Sequence, residues 1–202
     1  MADPLVDSRY ATALARPLAR FQLLLSAAVG FTWGPLLFHF LRNVADWTHP
    51  ALVVATVGLT VGLAFLGARA PMGYFRSRAW ERAGAGDVYV RYFGIRAFKQ
   101  WMSHGDRMNA WLRRRIPGYR VVQPTRGAAA AYAARTIGIE REHLAWGLAA
   151  LAPLGYALAA GAYGFAVLLA LVNAVTNGWP ILLQRYNRVR AEHAAGRGER
   201  RA

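Results

Sequence analysis

Three stretches without a formal charge constrain this chain more than any other feature. Phe21 to Leu41 is 21 residues long, Pro50 to Ala68 is 19, and Leu144 to Leu183 is 40. A helix rises 1.5 Å per residue, so about 20 apolar residues cross the hydrocarbon core of a bilayer. The first two runs suit one helix each. The third is twice the length of one crossing, and Gly161-Ala162-Tyr163-Gly164 near its middle offers a turn. The pattern predicts an all-α polytopic membrane protein with about four transmembrane helices, at 21–41, 50–68, 144–160 and 164–184. A large soluble helical core is the alternative. Charged residues make up only 17% of the chain, against about 25% in soluble domains. Asp3, Asp7, Arg9, Arg16 and Arg20 precede an overlong apolar stretch, which is not the build of a cleaved leader.

The net charge is +15, and the positions of the basic residues explain it. Three lie before residue 21, fifteen in 69–143 and six from Arg185 onward. With four crossings these three groups fall on one side, leaving only Arg42 on the other. Basic loops stay cytoplasmic, so both termini and the middle segment are expected there, in a multi-pass protein of the cell (inner) membrane. The whole chain then reads as a single membrane domain, 1–202. It has an N-terminal tail (1–20), two crossings (21–68), an interfacial segment (69–143), a hairpin (144–184) and a basic tail (185–202). Topology and contact with anionic lipid account for the charge, so no nucleic-acid partner is expected. The chain has no cysteine, which excludes disulfide scaffolds, thiolate metal sites and thiol catalysis.

The middle segment interleaves aromatics (Tyr74, Phe75, Trp80, Tyr89, Tyr92, Phe93, Phe98, Trp101, Trp111, Tyr119) with Arg76, Arg78, Arg91, Arg96 and Lys99. That mixture suits short amphipathic helices at headgroup level. Residues 88–95 also fit a strand, though no partner strand is evident. Turns are expected at Pro117-Gly118 and Gln123-Pro124. The alanine-rich run from Gly127 favours a helix carrying Glu140 and His143 toward the membrane. The arginine-rich end, 196–202, reads as disordered.

Two clusters carry possible chemistry. Glu140 and His143 are three residues apart and share a helical face. A carboxylate beside an imidazole is a general-base arrangement, and a polar helix end facing headgroups is the plainer reading. The second cluster closes the hairpin. Asn173, Asn177, Gln184 and Arg188 recur at spacings of 4, 7 and 4 along one stripe. Amides within a span face a cavity or glue helices together. Pro180 cannot donate to the carbonyl of Thr176, which invites a kink. Because the hairpin returns to its own side, the two clusters are expected to face one pocket at the inner leaflet. No metal site is expected: one Glu-x-x-His is half of a di-iron motif, and His-Glu-x-x-His is missing.

Three blocks resemble the glycosyl-4,4′-diaponeurosporenoate acyltransferase family of small membrane enzymes. The first is Trp80-Glu81, Gly84, Tyr89, Arg91, Phe93-Gly94-Ile95-Arg96 and Lys99; the second is Thr136, Glu140 and His143. The third, the most specific, is Asn177, Pro180, Gln184-Arg185-Tyr186-Asn187-Arg188 and Arg190. The resemblance implies transfer of a fatty acyl group onto a sugar hydroxyl of a lipid-like glycoside such as a carotenoid glycoside. On it rests a division of roles. His143 is the expected general base, and Glu140 orients it. Asn177 and Gln184 are amide donors toward the sugar or oxyanion. Arg185, Arg188, Arg96 and Lys99 hold phosphates of an acyl-CoA donor. Trp80, Glu81, Tyr186, Asn187 and Arg190 complete the substrate-binding set. The expected partners are the bilayer, the acyl donor and a glycolipid acceptor, with no cofactor beyond acyl-CoA as co-substrate. The alternatives are a non-catalytic membrane subunit binding lipid or a partner helix, and a lipid hydrolase using the same His–Glu pair.

Overall fold

The computed structural model describes residues 8–84, 86–102, 105–116, 119–120, 122 and 125–199, with the backbone alone for 8–18, 126 and 195–199. Every regular element among them is helical: α1 (Ser8–His39), α2 (Pro50–Ala68), α3 (Met72–Phe75), α4 (Ala79–Ala83), α5 (Asp87–Phe93), α6 (Ile95–Trp101), α7 (Asp106–Arg115), α8 (Arg126–Ala149), α9 (Leu151–Ala159), α10 (Tyr163–Asn173) and α11 (Trp179–Glu199). Wider π turns extend α1 over Phe40–Val44 and join α10 to α11 over Ala174–Gly178. The expected turns at Pro117-Gly118 and Gln123-Pro124 lie outside the described residues.

Three helical stretches are long and apolar enough to cross a membrane: Ala19–Val44, Pro50–Ala68 and Tyr163–Ala194. The expected fourth, 144–160, is apolar but is not one helix. Pro153 has no N–H to donate to the carbonyl of Ala149, and α8 gives way to α9 at Ala150, whose own bonds to Trp146 O and from the Leu154 amide are kept. The nine residues of α9 that follow span only about 14 Å. The reading of 88–95 as a strand also gives way to a helix. Tyr89 is buried while Arg91 and Phe93 are exposed, so a period of two finds no inward face. At the C-terminus the helix runs on through Glu199, where disorder was expected from Gly196; residues 200–202 lie outside the described set.

The chain folds into two compact units, and α1, α8 and α11 contribute to both. One unit comprises 27–74 and 139–181. Its apolar side chains point outward, with Phe31 82%, Val54 70% and Leu171 61% exposed. Water would not tolerate so much apolar surface, and lipid does. Helices α2, α9 and α10 pack side by side, and α9 and α10 form the hairpin expected from the sequence. Gly161, at φ 71°, makes its turn in the left-handed region closed to most side chains. Phe40, Ala45 and Val53 are buried against Val44, Tyr156 and Phe165. Between α1 and α2, the exposed Asp46 carboxylate accepts from the amide and hydroxyl of Thr48 and pairs with His49. These bonds hold its pKa down to about 2.

Helix α2 crosses α8 very closely in this unit. A Cβ on Gly67 would lie 2.6 Å from Ala145 Cα and 2.8 Å from its nitrogen, so only glycine fits. Gly67→Ala is expected to destabilise the unit by about 1–3 kcal/mol, because backbone must shift to admit the methyl group. Thermal unfolding in detergent measures this, and an unaltered midpoint would refute the close crossing.

The other unit comprises 1–26, 75–138 and 182–202. Short helices α4–α7 carry its aromatic and basic residues. Helix α7 buries Leu112 with Tyr119 and leans Met108, Trp111 and Ile116 on them. Arg107 stacks on Trp101 at 3.7 Å and Arg115 on Trp111 at 4.4 Å, the arrangement of an interfacial surface.

Candidate active site

Within the first unit, α8 presents His143 half-buried and Glu140 wholly buried one turn earlier. The widened turn before Pro180 brings Asn177 inward, 5% exposed. His143 Nδ1 lies 3.4 Å from Asn177 Oδ1. Asn177 Nδ2 donates to Asn173 Oδ1 at 2.8 Å and to Thr176 Oγ1 at 3.3 Å. Asn173 Nδ2 in turn donates to the carbonyl of Gly147 at 3.0 Å. Thr176 donates to Val172 O at 2.8 Å and accepts from the indole of Trp33 at 3.2 Å. A connected polar chain therefore runs through helices whose outer faces are apolar. Such groups are tolerated only when their hydrogen bonds are made.

The π turn has a local cause. Pro180 removes the donor that an α-helix would aim at Thr176 O, and the turn widens until Trp179 N–H reaches Ala174 O instead. Turns of this kind recur at functional sites because they re-aim the side chains they carry.

The second unit holds the other block residues around a buried carboxylate. Glu81, 2% exposed, accepts from the Tyr89 hydroxyl and from the Arg78 amide, and its Oε1 lies 3.9 Å from Arg185 Nη1. The Arg78 bond closes the first turn of α4. Burial first, then the bond and charge of Glu81, push the Tyr89 hydroxyl well above its ordinary range, so it stays protonated and donates. The Trp80 ring lies 6.5 Å from that of Tyr89. Tyr186 packs against Gly86 and accepts from Arg190 at 2.6 Å. Arg188, 3% exposed, reaches Thr136 Oγ1 at 3.5 Å. Lys99 pairs with Asp106 at 3.1 Å. Gln184 and Asn187 are half-buried and Arg96 is exposed.

Of the residues singled out in the sequence, His143 and Asn177 thus meet, and so do Glu81 and Arg185. The stripe of Asn173, Asn177, Gln184 and Arg188 divides, its amides Asn173 and Asn177 belonging to one unit and Gln184 and Arg188 to the other. Residues 71–197, well over half of the chain, match the sequence profile of glycosyl-4,4′-diaponeurosporenoate acyltransferase. The chain belongs to that family. No curated protein and no solved structure matches it. Membership places the protein among the acyltransferases of carotenoid-glycoside biosynthesis. Both clusters fall inside the matched residues, whereas Trp33 precedes them. Sequence reasoning passed over Trp33 and the Thr176 hydroxyl. The indole N–H carried no signal in an apolar run, and Thr176 was read only for its carbonyl. Tyr89 and Thr136 stood in the blocks, but nothing in the sequence gave their partners.

Proposed function

We propose that the protein is an O-acyltransferase that moves a fatty acyl group from an acyl-CoA thioester to a sugar hydroxyl of a glycosylated lipid, such as a carotenoid glycoside. The observation that carries this reading is the His143–Asn177 pair, an imidazole held by an amide chain among lipid-facing helices in a chain of this acyltransferase family. Amphiphilic reactants meet at a bilayer, and a base there needs no water to carry its proton.

In the proposed step, His143 takes the proton from the attacking hydroxyl as its oxygen bonds to the thioester carbon. The tetrahedral intermediate then expels the thiolate, which receives that proton back from the imidazolium. Glu140 is assigned to the imidazolium charge, and Gln184 and Asn187 to sugar hydroxyls. Arg96, Arg188, Arg190 and Lys99 supply cationic charge for donor phosphates. In this reading Glu81 acts through Arg185, and Trp80, Tyr89 and Tyr186 brace the same cluster. In this reading the basic middle segment, which the two crossings before it return to the side of the N-terminal tail, faces the cytoplasm, where acyl-CoA is made.

Purified protein in vesicles, given labelled long-chain acyl-CoA, tests this directly. Thioester consumption that requires a glycolipid acceptor and yields its ester is the expected result. Consumption without acceptor would indicate a hydrolase. Lipid co-purification without turnover would indicate the non-catalytic subunit, for which the mutual bonding of Asn173 and Asn177 as helix glue speaks.

A further inference from the structure

The amide chain has a direction, and a backbone carbonyl fixes it. Gly147 O can only accept, so the Asn173 atom 3.0 Å from it is the nitrogen. Asn173 therefore turns its oxygen to Asn177, whose nitrogen donates at 2.8 Å. That leaves the Asn177 oxygen facing His143. A carbonyl oxygen can only accept, so the proton between them belongs to Nδ1 of the imidazole. Flipping both amides would set two carbonyl oxygens against each other at Gly147, with no proton between. The closeness of the helices serves the same end: a Cβ on Gly147 would stand 3.4 Å from Asn177 Cβ and 3.8 Å from Asn173 Oδ1. Thr176, anchored by Trp33, adds a second acceptor that holds the Asn177 amide in this sense.

We infer that Asn173 and Asn177 are positioning residues that lock His143 in its Nδ1–H tautomer, so that the lone pair of Nε2 is the base. The inference rests on the reading of His143 as the base and adds what sets its proton. It moves the orienting task from Glu140 to a neutral relay that starts at Gly147 O. A neutral partner fixes the tautomer without raising the charge of the site, which suits a base that must begin unprotonated among lipid-facing helices.

Nitrogen-15 NMR of full-length protein labelled at histidine reads the tautomer without any substrate, and His143→Gln assigns the signal. The expected spectrum has a protonated Nδ1 and a bare Nε2 in the wild type. Asn177→Leu should give a mixture of tautomers and a kcat lower by roughly 10–100-fold, with KM changed less than about twofold. Asn177→Asp keeps an acceptor toward Nδ1 and should retain the wild-type tautomer, which also covers the case in which the leucine variant does not fold. Asn173→Leu should reproduce part of the Asn177→Leu effect. A bare Nδ1 in the wild type, or an unchanged spectrum in Asn177→Leu, would overturn the relay. Full turnover in His143→Ala would instead overturn the base role and leave the tautomer finding standing.

Discussion

His143→Ala is expected to lower kcat by about 10²–10⁴-fold in acyl transfer while the protein still inserts and folds. The magnitude is that of one positioned proton transfer. Folding should survive because the imidazole is half-buried, and the structure gives it one bond to the amide chain, at 3.4 Å. Asn177 keeps its bonds to Asn173 and Thr176 when that contact goes. Rates measured in vesicles at saturating donor, beside circular dichroism of the same sample, separate chemistry from folding. Turnover within about threefold of wild type would remove His143 from the reaction.

Glu81→Ala is the change with the largest expected cost in stability, about 3 kcal/mol. It removes the acceptor of the Tyr89 hydroxyl and of the Arg78 amide, and the carboxylate 3.9 Å from Arg185. At 3.9 Å the pair with Arg185 is long, so most of the cost lies in the buried Tyr89 hydroxyl and the Arg78 amide left without their acceptor. The double variant Glu81→Ala/Tyr89→Phe should therefore be more stable than Glu81→Ala alone, since it removes one stranded hydroxyl. The sign of the pH dependence follows from Tyr89. Its folded pKa lies above the ordinary value of 10.0, so above pH 10 the unfolded chain loses this proton while the folded one keeps it. The contribution of Tyr89 is then complete below pH 10 and declines as pH rises through the folded pKa. Chemical denaturation followed by circular dichroism at pH 8 and pH 11 checks both statements. Equal stability of wild type and Glu81→Ala would contradict the buried cluster.

How much of this was legible in the sequence depended on which physical signal each element carried. The charge-free runs located α2 to the residue and the α9–α10 turn at Gly161, because apolar length and glycine act locally. They also marked 144–160 as one helix, because hydropathy registers composition and is blind to the missing donor of Pro153. The strand alternative at 88–95 arose from a segment rich in β-formers, and burial of Tyr89 alone decided for a helix. Of the candidate residues, His143 stood out in the sequence as an imidazole near a carboxylate and Asn177 as an amide within a span. Their hydrogen bond was less legible, since the notion of a carboxylate partner drew attention to Glu140 along the same helix. The partner came instead from 34 residues away. The burial of Glu81, with Tyr89 and Arg78 on its oxygens, carried no signal in the sequence. An acidic residue next to an exposed tryptophan gives no sign of burial until α5 supplies its hydroxyl.

The location of the chemistry can be tested without any variant. An acyl-CoA whose chain carries a photoreactive diazirine near the thioester, irradiated with the wild-type protein in vesicles, should mark residues 139–149 and 173–181. Free long-chain acyl-CoA should compete the labelling away. Adducts confined to other parts of the chain, with those two stretches unmarked, would mean that acyl transfer occurs somewhere other than at His143.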